Sequence, residues 1–200
     1  MFDPYIRPLI DPPLNHIGKK IASYNINANI ITLIGFTLGL STILFIYFEN
    51  YYIAAFFLAL NRLFDGLDGA VARQNTLTNF GGFLDIVCDF IIYAGIVFAF
   101  ALLNDGNQLP AAFLIFSFIG PITSFLAYAI IAAKKDINTQ KRGKKSFYHL
   151  GGICEGTETA FILILMCLIP AHFPEICYIY GFLCWLTTIG RIYCAWVDFS

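Results

Sequence analysis

Charge is scarce in this sequence. Asp, Glu, Lys and Arg together make up 12% of its 200 residues while 58% are hydrophobic, and a mean hydropathy of +0.72 excludes an ordinary soluble domain. Thirteen acidic and twelve basic residues leave a formal charge of -1, so net charge offers no argument for a nucleic-acid partner. CxxC pairs and Cys/His ligand spacings are missing as well. The six cysteines (Cys88, Cys154, Cys167, Cys177, Cys184, Cys194) lie in or beside apolar stretches and read as buried thiols rather than zinc ligands or disulfides. A cleavable signal peptide is not expected, because Met1 to Tyr24 is broken by prolines and lacks a continuous apolar run ending at a small-residue cleavage site. Internal repeats and low-complexity segments are absent too, and the loops are too short for a separate soluble domain.

What is present is a series of apolar stretches. Crossing a bilayer core about 30 Å thick takes about 20 helical residues, and six stretches qualify: 28–48, 51–71, 80–103, 109–133, 154–171 and 175–197. The expected fold is an all-α, polytopic membrane protein: a six-helix transmembrane bundle forming one domain over residues 1–200. Residues 1–24 mix Ile6, Leu9, Ile10, Leu14, Ile17 and Ile21 with Arg7, His16, Lys19 and Lys20, the composition of an interfacial segment, interrupted at Pro12 and Pro13. Arg7, Lys19, Lys20, Arg73 and six basic residues between Lys134 and Lys145 all fall on one side of the six-helix plan. The opposite connections carry no Lys or Arg, so both termini are expected to be cytoplasmic.

The second stretch is the least apolar, because its C-terminal half holds Arg62, Asp65 and Asp68 among glycines. An Asp at mid-bilayer costs about 2.5–3.5 kcal/mol on insertion scales, so four unpaired aspartates at positions 65, 68, 85 and 89 represent on the order of 10 kcal/mol. Arg62 and Arg73 can neutralise two of them, which leaves two over. Asp65 and Asp68 are i,i+3 and Asp85 and Asp89 are i,i+4, so each pair projects from one helix face. Counting about 1.5 Å per residue puts both pairs at a similar depth, roughly 5–14 Å beneath the cytoplasmic surface. Four carboxylates around one cavity call for one or two divalent cations, and oxygen-only ligands suit Mg²⁺, Mn²⁺ or Ca²⁺ rather than zinc. Paired hard cations roughly 3.5–4 Å apart are a device of phosphoryl chemistry. Gly66, Gly69, Gly81 and Gly82 around these aspartates favour close approach of a polar headgroup.

The run Asp65-Gly66-Leu67-Asp68-Gly69-Ala70-Val71-Ala72-Arg73, followed by Gly81, Asp85 and Asp89, resembles the signature of the CDP-alcohol phosphotransferase family, DxxDGxxAR then GxxxDxxxD. Seven residues separate Arg73 from Gly81 where the usual form has eight, a difference confined to the connecting loop. The resemblance implies that Asp65, Asp68 and Asp85 ligate a pair of Mg²⁺ or Mn²⁺ ions, with Asp89 sharing in metal binding. It also implies that Asp89 is the catalytic base that takes the acceptor's proton. Gly69, Ala72, Arg73 and Gly81 match positions lining the cytidine nucleotide site. Ala28-Asn29-Ile30-Ile31-Thr32 is similar to the family's PNxxT element, with Ala28 in place of proline, which adds Asn29 and Thr32 to the nucleotide-binding set. A symmetric dimer is common in the family.

The implied activity is transfer of a phosphatidyl group from CDP-diacylglycerol to a small alcohol with release of CMP. Transfer of a phospho-alcohol from a CDP-alcohol to a lipid hydroxyl uses the same signature. A cation transporter is the reading from a different class, although transporters usually place their ligands near the midplane on broken helices or repeats.

On the acceptor side several readings stay open. The 134–145 basic loop either attracts anionic lipid or lends Lys135 or Arg142 to an anionic ligand. Arg191 either faces the polar site or snorkels to the interface. Glu155 and Glu158 either complement a helix N-terminus or shape an acceptor pocket.

Overall fold

A computed structural model describes residues 3–135 and 152–200 of the chain, and among them every regular element is helical. The helices are α1 (Asp3–Ala22), α2 (Ala28–Tyr47), α3 (Tyr51–Gln74), α4 (Asn79–Ala101), α5 (Asp105–Lys134), α6 (Gly156–Leu168) and α7 (Phe173–Phe199), with a 3₁₀ turn, Pro170–His172, before α7. Side chains set several starts: Asn27, Thr78 and Asn104 accept hydrogen bonds from the backbone N–H groups of Asn29, Gly81 and Asn107 at 2.9, 3.0 and 3.1 Å. α2 ends where Glu49 adopts φ 58°, which lets the Asn50 and Glu49 N–H groups bond the carbonyls of Phe45 and Ile46 at 2.8 Å each.

Among the described residues, four helical stretches are both long and apolar enough to cross a membrane: α2, α4, α5, and α7 with its preceding turn. α3, at 24 residues, has the length but carries Arg62, Asp65, Asp68 and Arg73 in its second half. α6 has 13 residues, about 20 Å of helix, and is too short to span alone. Length and apolarity therefore support four spans where six were expected.

α1 also departs from expectation. It is a continuous helix running through Pro8, Pro12 and Pro13, not a segment broken at Pro12. Each proline removes one i to i−4 hydrogen bond, but Pro8, Leu9, Pro12 and Pro13 are all exposed, so the freed carbonyls can be solvated. The opposite face holds α1 in place. Leu14 is buried, and Gly18 lies so close to α3 that a Cβ there would come within 2.9 Å of the Ala70 Cβ. Leu9, Ile10 and Ile17 remain exposed beside Lys19 and Lys20.

The apolar core lies toward the end of the bundle where α2 turns into α3. Ile46, Leu58, Ile92, Ile96, Phe100, Leu114, Leu163, Met166 and Phe173 are almost wholly buried there, and the Phe100 and Phe173 rings stack at 4.6 Å. Small residues bring the backbones together: a Cβ on Gly39 of α2 would meet Ile92 of α4 at 2.7 Å. α3 and α4 each pack along α2 and do not lie side by side as tight antiparallel neighbours. The space between them at the opposite end is the functional site.

Candidate active site

The second half of α3 and the first half of α4 enclose a cavity of about 670 Å³. α2 contributes Asn29 and Thr32 to its wall, and α3 contributes Asp65, Asp68, Gly69, Ala72 and Arg73. Gly81 and Asp85 come from α4, and Asp11 from α1. Each residue assigned to nucleotide binding in the sequence thus lines one space. Gly81 has a steric reason to be glycine, since a Cβ would come within 3.0 Å of both Asn29 Oδ1 and Thr78 Oγ1. Gly66 has a different reason from the headgroup access expected of it. Although it borders the cavity, a Cβ there would lie 2.7 Å from Leu14 Cδ1, so its smallness serves the docking of α1.

At the base of the cavity, one oxygen from each of Asp65, Asp68 and Asp85 lies within 4.8 Å of the other two. At that separation, each pair of unit charges repels by about 3–4 kcal/mol at an effective dielectric of about 20. Thr32 Oγ1 donates to Asp68 Oδ2 at 2.6 Å and fixes that buried carboxylate from α2. A divalent cation fits this cluster: three converging carboxylate oxygens, with no sulfur or imidazole ligand, form a hard donor set.

The fourth aspartate is held differently. Arg62 NH2 donates to Asp89 Oδ1 at 2.6 Å, and Arg62 NH1 donates to Asp89 Oδ2 at 3.1 Å. The Tyr93 hydroxyl donates to Asp89 Oδ2 at 3.1 Å and accepts from Arg62 NH1 at 2.7 Å. Arg62 Nε donates to Asn61 Oδ1 at 2.9 Å, and Asn61 Nδ2 donates to the Gly35 carbonyl at 2.8 Å, which anchors the network on α2. Arg62 also approaches Asp65, at 3.7 Å. Asp89 therefore does not join the three-carboxylate cluster, although it touches a narrow pocket beneath it together with Asp65, Asp68 and Asp85. The other candidate counter-ion, Arg73, turns to Asn15 of α1, donating to its Oδ1 at 3.0 Å.

Sequence reasoning did not find the roles of Asn61, Tyr93, Asn15 and Asp11. A signal existed for Tyr93, which stands one helical turn beyond Asp89. Asn15 and Asp11 depend on the docking of α1, which no local pattern encodes.

The acceptor-side candidates separate. Arg191 is buried rather than snorkelling: its NH1 donates to the Pro121 carbonyl at 2.7 Å and its guanidinium lies 5.8 Å from the Phe125 ring centroid. Phe125 lines the main cavity, so Arg191 stands behind its wall. Glu155 is buried at the N-cap position of α6 and accepts from the Gly152 N–H at 2.9 Å, while Glu158 occupies the first turn. Gly156 faces the Tyr93 hydroxyl, a Cβ there falling 3.9 Å away, which brings the start of α6 beside the Asp89 network. Lys135 is turned away from the cavity, donating to the Phe199 carbonyl at 3.0 Å. Arg142 lies outside the described residues, as do Lys141, Lys144 and Lys145.

A sequence model of the CDP-alcohol phosphatidyltransferase family matches residues 25–193. The chain is 43% identical over 194 residues to the inner membrane protein YnjF of Escherichia coli, covering 96% of this chain and 94% of that one. It is 32% identical over 189 residues to an archaetidylinositol phosphate synthase of Pyrococcus horikoshii, covering 94% and 93% of the two chains. Its fold is similar to that of the Mycobacterium tuberculosis phosphatidylinositol phosphate synthase PgsA1, solved with CDP-DAG bound, at a TM-score of 0.72 and 16% identity over 92% of this chain and 93% of that one. The chain is an integral membrane protein and belongs to the CDP-alcohol phosphatidyltransferase family, transferases of substituted phosphate groups.

Proposed function

We propose that this protein transfers a phosphatidyl group from CDP-diacylglycerol to a small alcohol and releases CMP. The observation that carries this reading is the convergence of Asp65, Asp68 and Asp85 at the base of a cavity whose walls hold Asn29, Gly69, Ala72, Arg73 and Gly81. The CDP-DAG bound to PgsA1, whose fold this chain shares, supports CDP-diacylglycerol as the donor.

Asp65, Asp68 and Asp85 would hold Mg²⁺ or Mn²⁺. When bound, the metal neutralises the phosphoryl oxygens and the charge left on CMP. Thr32 keeps Asp68 aimed at this position through its 2.6 Å hydrogen bond. Arg73, steadied by Asn15, faces the nucleotide from the rim. Asp89 is the general base: its ion pair with Arg62 holds its carboxyl group in place to take the alcohol's proton. Arg191, Glu155 and Glu158 border the acceptor's approach at the junction of α5, α6 and α7. α2, α3, α4, α5 and α7 have the length to cross the membrane, and the Lys and Arg distribution supports a cavity that opens to the cytoplasm.

The test is CMP release from CDP-diacylglycerol in detergent with Mg²⁺ or Mn²⁺, across glycerol 3-phosphate, serine, inositol and inositol phosphate. Similarity to the Pyrococcus archaetidylinositol phosphate synthase puts inositol phosphate first in that panel. One acceptor supporting metal-dependent CMP release is the expected result. No release with any acceptor, together with cation flux in liposomes, would replace this reading with a transporter.

A further inference from the structure

Arg62 contacts one carboxylate of the metal cluster and one outside it, approaching Asp65 at 3.7 Å and pairing with Asp89 through both terminal nitrogens. A second divalent cation shared between these helices would make the same bridge. Resting on the metal-centred reading above, we infer that Arg62 serves as a built-in second cation, so that the protein binds a single divalent ion on Asp65, Asp68 and Asp85.

Counting acceptor sites supports this. An ionised carboxylate offers about four lone-pair directions. Three on Asp89 are occupied, two by Arg62 and one by Tyr93. The one that remains suffices to accept a proton from an alcohol, but not to ligate a metal as well. Arg62 is also fixed rather than loosely apposed, because Asn61 holds its Nε and is itself bonded to the α2 backbone at Gly35. Its guanidinium is mostly buried, at 15% side-chain exposure, so displacing it would strand a charge away from water. Arg62 is thus a positioning residue for Asp89 and a fixed charge for the site. The sequence carries the arrangement as Arg62 and Asp65 at i,i+3 with Asp89 and Tyr93 at i,i+4.

The test counts ions rather than turnover. The purified full-length protein in detergent is titrated with Mn²⁺ in the presence of CDP, so that the diphosphate supplies its own oxygens, and bound metal is followed by electron paramagnetic resonance. Wild type is expected to bind one Mn²⁺ with an isolated-ion spectrum, and Arg62→Lys to do the same. Arg62→Met is expected to gain a second Mn²⁺ that is spin-coupled to the first, and adding Asp89→Asn to Arg62→Met is expected to abolish that gain. Two coupled ions in wild type overturn the inference and leave the proposed activity standing. A folded Arg62→Met that still binds one ion also overturns it. Wild type that binds no Mn²⁺ overturns the metal-centred reading and this inference together. The wild-type count decides even if Arg62→Met fails to fold.

Discussion

The two halves of α3 follow opposite rules. Its first half buries Ala54, Ala55 and Leu58 in the apolar cluster with Ile46, Ile92 and Phe100, where close packing of uncharged side chains holds the helices together. Its second half presents Arg62, Asp65, Asp68 and Arg73, and there α3 and α4 are set apart around a cavity. In the first region almost every substitution should be felt as stability. In the second, neighbours that are themselves polar hold each charged group, so substitutions should be felt as chemistry. The division explains why α3 is long enough to span a membrane yet too charged along half its length to look like a span.

Substitutions on the two sides should break this contrast if it is wrong. Asp68→Asn or Asp85→Asn should lower CMP release by about 10³-fold or more, equivalent to about 4 kcal/mol of transition-state stabilisation, with helical circular dichroism retained. Asp89→Asn should lower turnover by about 10²–10⁴-fold, the usual worth of a general base, while metal-dependent CDP binding persists in equilibrium titration. Thr32→Val, which removes the 2.6 Å hydrogen bond to Asp68, should weaken Mn²⁺ binding by about 10–100-fold in the same titration. Arg191→Ala should raise the acceptor KM about tenfold, the worth of one hydrogen bond to a charged group, and leave the donor KM unchanged. Leu58→Ala, in the apolar half, should lower stability by about 2–5 kcal/mol in thermal or denaturant unfolding and leave kcat of the folded fraction unaltered.

Much of the site was legible because its residues repeat at helical spacings within 25 positions. Asp65, Asp68 and Asp85 converge as the i,i+3 spacing of the first two and the depth shared by all three predict, and every nucleotide-site residue named from the sequence borders one cavity. The long helices were legible from hydropathy, α2 and α4 to within two residues at each end. What was not legible depended on contacts distant in sequence. The prolines of α1 read as breaks, because only the docked structure shows its exposed side absorbing their missing hydrogen bonds while Leu14 and Gly18 hold the other side. The shortness of α6 was hidden because apolar residues continue past Leu168 into a 3₁₀ turn. Asp89 read as a base that also shares in metal binding, and its pairing with Arg62 was not foreseen. Seeing that pairing required knowing that Arg62 reaches across to α4, and that Asn61 and Tyr93 hold it there.

The most direct test of the three-carboxylate centre is the affinity of the detergent-purified protein for CDP-diacylglycerol, measured by calorimetry with Mg²⁺ present and again after chelation with EDTA. Tight binding that requires Mg²⁺ in wild type and is lost in Asp85→Asn is the predicted result. Equal affinity with and without the metal, or an Asp85→Asn variant that binds like wild type, would contradict the account.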